Sequence, residues 1–308
     1  MHLRRAKLWF SSERLRACSR LFQNPWYAHL GLAFVSRGWV QVVLKNGKKL
    51  AFSRSRRDHS FWDWALSQDE ASFDFTAEGE VRLKTATHDL LLRSGTSDFF
   101  AFREIFLQDC YGLAALPSRL GTVVDLGANV GLFTCAIQDR ARRVIAVEPV
   151  AAHFRQAHKN IVKNGGDGAG LLRLAVAGQS DQEIAIHVDD RTAGASSLFR
   201  SFCKSSREHE TVRTTSLPDL LESTGCGEID LLKCDVEGAE YEIFSNTPLP
   251  VLRRIRRLVM EVHLAVDEGE RKQQALIAHL REAGLRVTVF IPSTGRPVRN
   301  RILKAFRN

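Results

Sequence analysis

Through the first hundred positions the apolar residues fall into short alternating runs broken by glycine, asparagine and charge. Trp39-Val40-Gln41-Val42-Val43-Leu44 and Lys49-Leu50-Ala51-Phe52 flank Asn46-Gly47, a strong hairpin signal. Phe73-Asp74-Phe75 and Val81-Arg82-Leu83 flank Glu78-Gly79 in the same manner. Phe99 to Tyr111 has a helical period, with Phe99, Phe102, Phe106 and Cys110 on one face. From Gly121 onward buried-strand runs alternate with helical stretches. Strands end at Asp125, Glu148, Val176, Val188, Thr215, Asp235 and His263, and helices are expected over Val130–Asp139, Ala151–Asn164, Leu217–Glu222, Ala239–Ser245 and Glu270–Ala283. That alternation predicts an α/β unit over 98–308, a mostly parallel sheet with helices on both faces, preceded over 1–97 by a basic tail and a small β-rich appendage.

Composition changes this picture little. The 308 residues, 44% hydrophobic and 26% charged, are ordinary for a globular protein, and no run approaches eighteen apolar residues, so no transmembrane segment is expected. Six cysteines without paired spacing read as buried thiols in a reducing cytosol, which makes the expected location cytoplasmic.

Charge adds more. The net +9 is uneven: the first sixty residues hold thirteen Lys or Arg against two acids, and Pro250 to Asn308 thirteen against five, so the middle is acidic. A polyanionic partner would meet the periphery rather than the middle. In Met1 to Phe22 arginines interrupt every candidate signal-peptide core. The run reads as a surface helix or tail, with peripheral membrane contact as the alternative.

Chemistry enters at Val123-Val124-Asp125-Leu126-Gly127-Ala128-Asn129-Val130-Gly131, answered seventeen residues after Gly131 by Glu148 in Val147-Glu148-Pro149. An acid closing the second strand is placed to accept hydrogen bonds from both ribose hydroxyls of a nucleoside lying over a glycine turn. A dinucleotide would want Gly-x-Gly-x-x-Gly and no acid before the turn. Asp125 repels phosphate and suits a cation, so the motif favours S-adenosylmethionine, with its sulfonium and ammonium, over NAD.

A second motif, Lys233-Cys234-Asp235-Val236-Glu237-Gly238-Ala239-Glu240, stands at another strand mouth, and Glu261-Val262-His263 at the next. In this order the motifs resemble the FkbM family of S-adenosylmethionine-dependent methyltransferases, over about Asp98 to His263. The resemblance implies a Rossmann-like class I methyltransferase fold of seven strands, with an antiparallel strand near Arg286 to Pro292, and O-methylation of a sugar hydroxyl in a small-molecule or glycan acceptor. It implies that Asp125, Gly127, Asn129 and Gly131 line the methionine and ribose of the donor, that Glu148 holds the ribose and Ala175 the adenine, and that Asp235 and Glu237 stand beside the methyl group. Thr215-Ser216-Leu217-Pro218-Asp219 departs from the family's usual Thr-Leu-Asp-Asp run.

His263 is the candidate base, since imidazole titrates near neutral pH. Asp235 is the rival base, or a ligand for Mg²⁺. Lys233 with Glu237 reads as an ion pair holding the turn, Asp189 to Leu198 as a loop over the acceptor, and Arg253-Arg254-Ile255-Arg256-Arg257 as a solvated helix end. Nucleic acid is not expected as acceptor, because the strand end at Asp235 lacks a base-stacking Pro-Pro-Tyr run. The alternatives are an RNA or other nucleic-acid methyltransferase that uses the basic ends, and a catalytically silent nucleoside-binding protein. Retention of Asp125, Glu148 and Asp235 together argues against the silent protein.

Overall fold

A computed structural model describes residues 12–26, 28, 39–43, 45, 47, 49–53, 73–76, 80–93, 96–168, 170–188, 208–263, 269–290 and 300–307. They divide into two units, Met1–Phe100 and Ala101–Asn308. The first carries a helix, α1 (Ser12–Leu21), and an antiparallel hairpin, β1 (Trp39–Val43) with β2 (Lys49–Ser53), in which Val43 faces Lys49. Gly47 in its turn has φ +85, the left-handed conformation that glycine tolerates. A meander of β3 (Phe73–Phe75), β4 (Glu80–Lys84) and β5 (Asp89–Arg93) buries Phe73, Val81, Leu83, Leu90 and Leu92. The last of these strands was not anticipated. It pairs antiparallel with β4, Arg82 facing Leu91, and the side chains of Arg82 and Asp89 form an ion pair between the two strands.

The expected helix over Phe99–Tyr111 is cut short. α2 (Asp98–Phe102) passes into a π-helical turn at Arg103–Leu107, and the chain then reverses at Asp109, with φ 46. The Asp109 carboxylate accepts from the backbone N–H of Leu113 (2.5 Å) and of Ala114 (3.1 Å), capturing the next turn for a 3₁₀ helix at Leu113–Ala115. Tyr111 therefore lies outside the helix that the period carries as far as this residue.

The parallel core begins with β6 (Leu120–Leu126), buried along nearly its whole length, as a strand covered on both faces must be. α3 (Leu132–Gln138), β7 (Ala141–Val147), α4 (Ala151–Lys163) and β8 (Leu171–Leu172) follow. Beyond β8 the expected single strand breaks at Arg173-Leu174. β9 (Ala175–Val176) pairs instead with β11 (Glu208–Thr215), which is antiparallel to β10 (Glu183–Val188) in a separate small sheet. α5 (Leu217–Ser223) is capped by Ser216, whose hydroxyl accepts from the Asp219 N–H at 3.2 Å, and Pro218 stands in its first turn. The departure at 215–219 thus builds a sound helix start. β12 (Leu231–Cys234), α6 (Glu240–Ser245), α7 (Leu249–Leu252), β13 (Arg257–His263), α8 (Gly269–Glu282), β14 (Arg286–Phe290) and β15 (Asn300–Phe306) complete the unit.

The main sheet has the order β8-β7-β6-β12-β13-β15-β14. This is the doubly wound order, with its point of reversal between β6 and β12 and one strand inserted near the edge. The inserted strand, antiparallel to both neighbours, is β15. The strand near Arg286 exists but runs parallel to the rest, which corrects the position expected for the antiparallel strand. Leu126, Ile145, Leu220, Leu232, Phe244 and Met260, each at most 1% exposed, are among the side chains that join sheet to helices. Burial of each contributes about 1.5–3 kcal/mol. The consequence for function is geometric: the carboxyl ends of β6, β7, β12 and β13 share one edge of the sheet.

Candidate active site

Two strand ends meet first. Asp235 N–H donates to Leu126 O at 3.0 Å, and Gly127 lies so close beneath that a Cβ there would stand 1.9 Å from Asp235 O. With φ +76 as well, position 127 accepts only glycine. The N–H groups of Gly127 and Ala128 both donate to Val147 O, which fastens the turn to β7. Gly131, with φ +78, serves a different purpose: its missing Cβ would touch Ala157 at about 3.0 Å, so it lets α3 approach α4.

Glu148, 4% exposed, is locked by the backbone. Its Oε2 accepts from Asn129 N–H at 2.8 Å and its Oε1 from Val150 N–H at 2.9 Å, with His153 Nδ1 3.5 Å away. Remaining lone pairs face a cleft of about 680 Å³, open to solvent. Of the residues expected at the site, Gly127, Asn129, Glu148, Ala175, Asp235 and Glu237 line it; Asp125, Gly131 and His263 do not. Val150, Leu174, Val176 and Ile186 add an apolar wall. Asn129 Oδ1 and Asp235 Oδ1 are buried without a hydrogen-bond partner among the described residues. Such atoms are costly to leave unsatisfied, and a ligand bringing ammonium or hydroxyl donors would satisfy both. The apolar wall and the locked Glu148 fit the adenosine of the same ligand.

Asp125 is placed otherwise than expected. Fully buried, it accepts from Thr134 Oγ1 at 2.7 Å and pairs with Lys233 Nζ at 3.2 Å, a neighbour in register across β6 and β12. Lys233 is thus paired with Asp125, not with Glu237. It also donates to Gly127 O at 2.7 Å, holding the glycine turn from below. Burial works against the Lys233 ammonium, but Asp125 and Asp235 outweigh it and keep its pKa above the ordinary value.

Behind Asp235 and Glu237, at the acidic end of the cleft, stand more polar groups than the motifs imply. Tyr111, buried and set edge-on to Phe133, donates its hydroxyl to Asp235 Oδ2 at 3.1 Å. His263 is clamped: Nδ1 lies 2.8 Å from Glu240 Oε1 and Nε2 3.1 Å from Glu237 Oε2, with Glu261 Oε1 at 4.0 Å. Burial alone would depress the imidazole, yet Glu240 and Glu237 carry its pKa well above the ordinary value. Burial pushes Glu237 up to about 7 against the pull of His263; burial and Asp235 push Glu261 to about 8 and Glu104, from the π turn, to about 7. Both ring nitrogens of His263 are thus engaged by carboxylates, and the ring does not line the cleft. Donor atoms of Asp235, Glu237 and His263 lie within 4.8 Å of one another, a spacing a metal ion could bridge.

Tyr111 and Glu104 escaped sequence reasoning, because an aromatic and an acid in an apolar helical period read as core and solvated face. Glu240 lay in the quoted motif, but its partner could not be read from spacing. The acceptor loop expected at Asp189 to Leu198 lies outside the described residues.

The model of the Methyltransferase FkbM domain matches residues 125–287, just over half of the chain. AMB antimetabolite synthetase AmbE of Pseudomonas aeruginosa is 26% identical, over 62% of this chain; the match spans 11% of that much longer protein. Methyltransferase sdnD of Sordaria araneosa is 28% identical over 53% of this chain and 73% of its own length. 31-O-demethyl-FK506 methyltransferase FkbM of Streptomyces tacrolimicus is 28% identical over 53% and 74%. With strand order, glycine turn, locked Glu148 and the acidic strand mouths in agreement, the chain belongs to the FkbM family of S-adenosylmethionine-dependent methyltransferases.

Proposed function

We propose that the protein transfers the methyl group of S-adenosylmethionine to a hydroxyl oxygen of a sugar or glycosylated small molecule by in-line displacement. The observation that carries this reading is the pair of unsatisfied buried oxygens, Asn129 Oδ1 and Asp235 Oδ1, in one cleft with the locked carboxylate of Glu148. Glu148 takes the ribose hydroxyls, Ala175 and its apolar neighbours the adenine, and Asn129 with Asp235 the methionine end. Oxygen as the acceptor atom is supported by the Streptomyces relative, whose name records an O-demethyl substrate. The sugar rests on the family resemblance.

In this step the sulfur–methyl bond breaks as the oxygen–methyl bond forms, the sulfonium becomes a neutral thioether, and the hydroxyl proton leaves to a carboxylate of the Asp235–Glu237 turn. A sulfonium is already activated, so alignment and proton removal are the protein's main tasks. Mg²⁺ at Asp235 belongs to the same reading as a group that acidifies the hydroxyl. Cys110, Cys226 and Cys234 carry free thiols, which supports a reducing, cytoplasmic setting.

Calorimetry tests the donor, and labelled methyl transfer into hydroxylated acceptors tests the reaction. S-adenosylmethionine and its demethylated product should bind with Kd on the order of micromolar or tighter. Glu148→Ala should weaken both by about 10–100-fold, since it removes two ribose hydrogen bonds of about 1 kcal/mol or more each. A folded protein that gives no binding heat with either compound would end this reading.

A further inference from the structure

We propose that Tyr111 is a positioning residue of the donor site: its hydroxyl fixes the carboxylate of Asp235 through Oδ2, which leaves Oδ1 set to receive the ammonium at the methionine end of S-adenosylmethionine. This role rests on the donor reading above, and Tyr111 stands before residues 125–287, the span that matches the family.

The need for such a residue follows from the chemistry of a side chain on a turn. Asp235 is the first residue beyond β12, and its backbone is tied to β6 by the N–H it donates to Leu126 O at 3.0 Å. That bond leaves the side-chain torsions free, and a carboxylate free to turn loses conformational entropy when it meets a ligand. The Tyr111 hydroxyl removes this freedom by donating to Oδ2 at 3.1 Å, while the buried Oδ1 has no hydrogen-bond partner among the described residues. Burial of the phenol and the neighbouring charge of Asp235 hold the Tyr111 pKa well above its ordinary value, so the hydroxyl stays a donor.

Tyr111 is itself held on several sides. Asp109 reverses the chain, its carboxylate accepting from the N–H groups of Leu113 and Ala114, while Gly112 N–H donates to Asp109 O at 2.9 Å. The tyrosine ring lies edge-on to Phe133 with centroids 5.6 Å apart, and Lys233 Nζ stands 5.9 Å from the centroid of each ring. Phe133 belongs to α3, the helix that opens at Gly131, and Lys233 is held by Asp125 and by Gly127 O. One phenol therefore joins the glycine turn to the carboxylate beyond β12. Tyr111 is not among the described residues that line the cleft, as a residue acting through Asp235 should not be.

Calorimetry with two ligands separates positioning from support of the fold. The demethylated donor carries the amino-acid end, and methylthioadenosine is an adenosine thioether without it. Tyr111→Phe removes one oxygen. The variant should bind the demethylated donor about 10-fold more weakly, the contribution of one hydrogen bond to a charged group, and methylthioadenosine within about twofold of the wild type. Beside Asp235→Ala, the same substitution should change affinity for the demethylated donor by less than about twofold, because its partner is gone. Equal weakening of both ligands in Tyr111→Phe would make the tyrosine a support of the fold and overturn the role given to it. Unchanged affinity for the demethylated donor, or an undiminished effect beside Asp235→Ala, would overturn it as well. So would wild-type protein that binds methylthioadenosine as tightly as the demethylated donor, since Asp235 Oδ1 would then have no ammonium to receive. Wild-type protein that binds neither compound would end the donor reading itself, and the role of Tyr111 with it.

Discussion

At the scale of single residues, the site depends on two positions whose sequence signals differ in clarity. Gly127 was legible, because a glycine after a buried strand announces a close approach; the structure identifies what approaches, the carbonyl of Asp235. Gly127→Ala must push β6 and β12 apart at their ends, and we expect donor affinity to fall at least about 100-fold, a change of about 2.7 kcal/mol that calorimetry would read. Asp125 was legible as an acid but not in its partner, since Lys233 becomes its neighbour only once β6 and β12 are set side by side. Removing one member of a buried pair leaves the other charge uncompensated. Lys233→Met should therefore cost about 3–5 kcal/mol of unfolding free energy, and Asp125→Asn with Lys233→Met much less than the two single changes together. Additive losses in urea unfolding would show that the pair is not coupled.

At the scale of elements, the strands that carry the site were readable because parallel strands buried on both faces appear as continuous apolar runs, and β13 occupies the span its apolar run defines. Errors arose where local hydrogen bonding overrides period. The run at 171–176 breaks at Arg173-Leu174, which turns Leu174 and Ala175 towards the cleft, and Asp109 ends a helix that the aromatic spacing would continue. The position of the antiparallel strand was misjudged for another reason: direction is a property of the pair, and β14 could not be oriented before β15 was found. Ser216 shows the opposite case, a departure from the family run with a physical purpose. Ser216→Ala should destabilise by about 1 kcal/mol. For a unit of this size that lowers Tm by about 2–4 °C. Ser216→Asp, another good cap, should leave it nearly unchanged, and thermal unfolding of both variants decides whether the cap matters.

At the scale of the whole molecule, charge separates the acceptor classes. The surplus of Lys and Arg lies in the two ends of the sequence, whereas the cleft presents Glu148, Asp235 and Glu237, and no Lys or Arg is among the described residues that line it. A nucleic-acid acceptor would have to bring phosphates towards these carboxylates while gaining affinity from charges elsewhere. Its binding would then release counterions, and with six to ten phosphate contacts affinity would fall by about 10³–10⁵ between roughly 50 and 200 mM salt. A neutral hydroxylated acceptor releases none. For such an acceptor kcat/KM should change by less than about threefold over the same range, because the interactions that hold it are short-ranged and partly buried, where screening is weak. Measuring methyl transfer into a sugar-bearing acceptor and into total RNA at both salt concentrations puts the two classes in direct competition. Transfer into RNA that is strong at low salt and collapses at high salt, with the sugar acceptor inert at both, would reverse the assignment of acceptor made here.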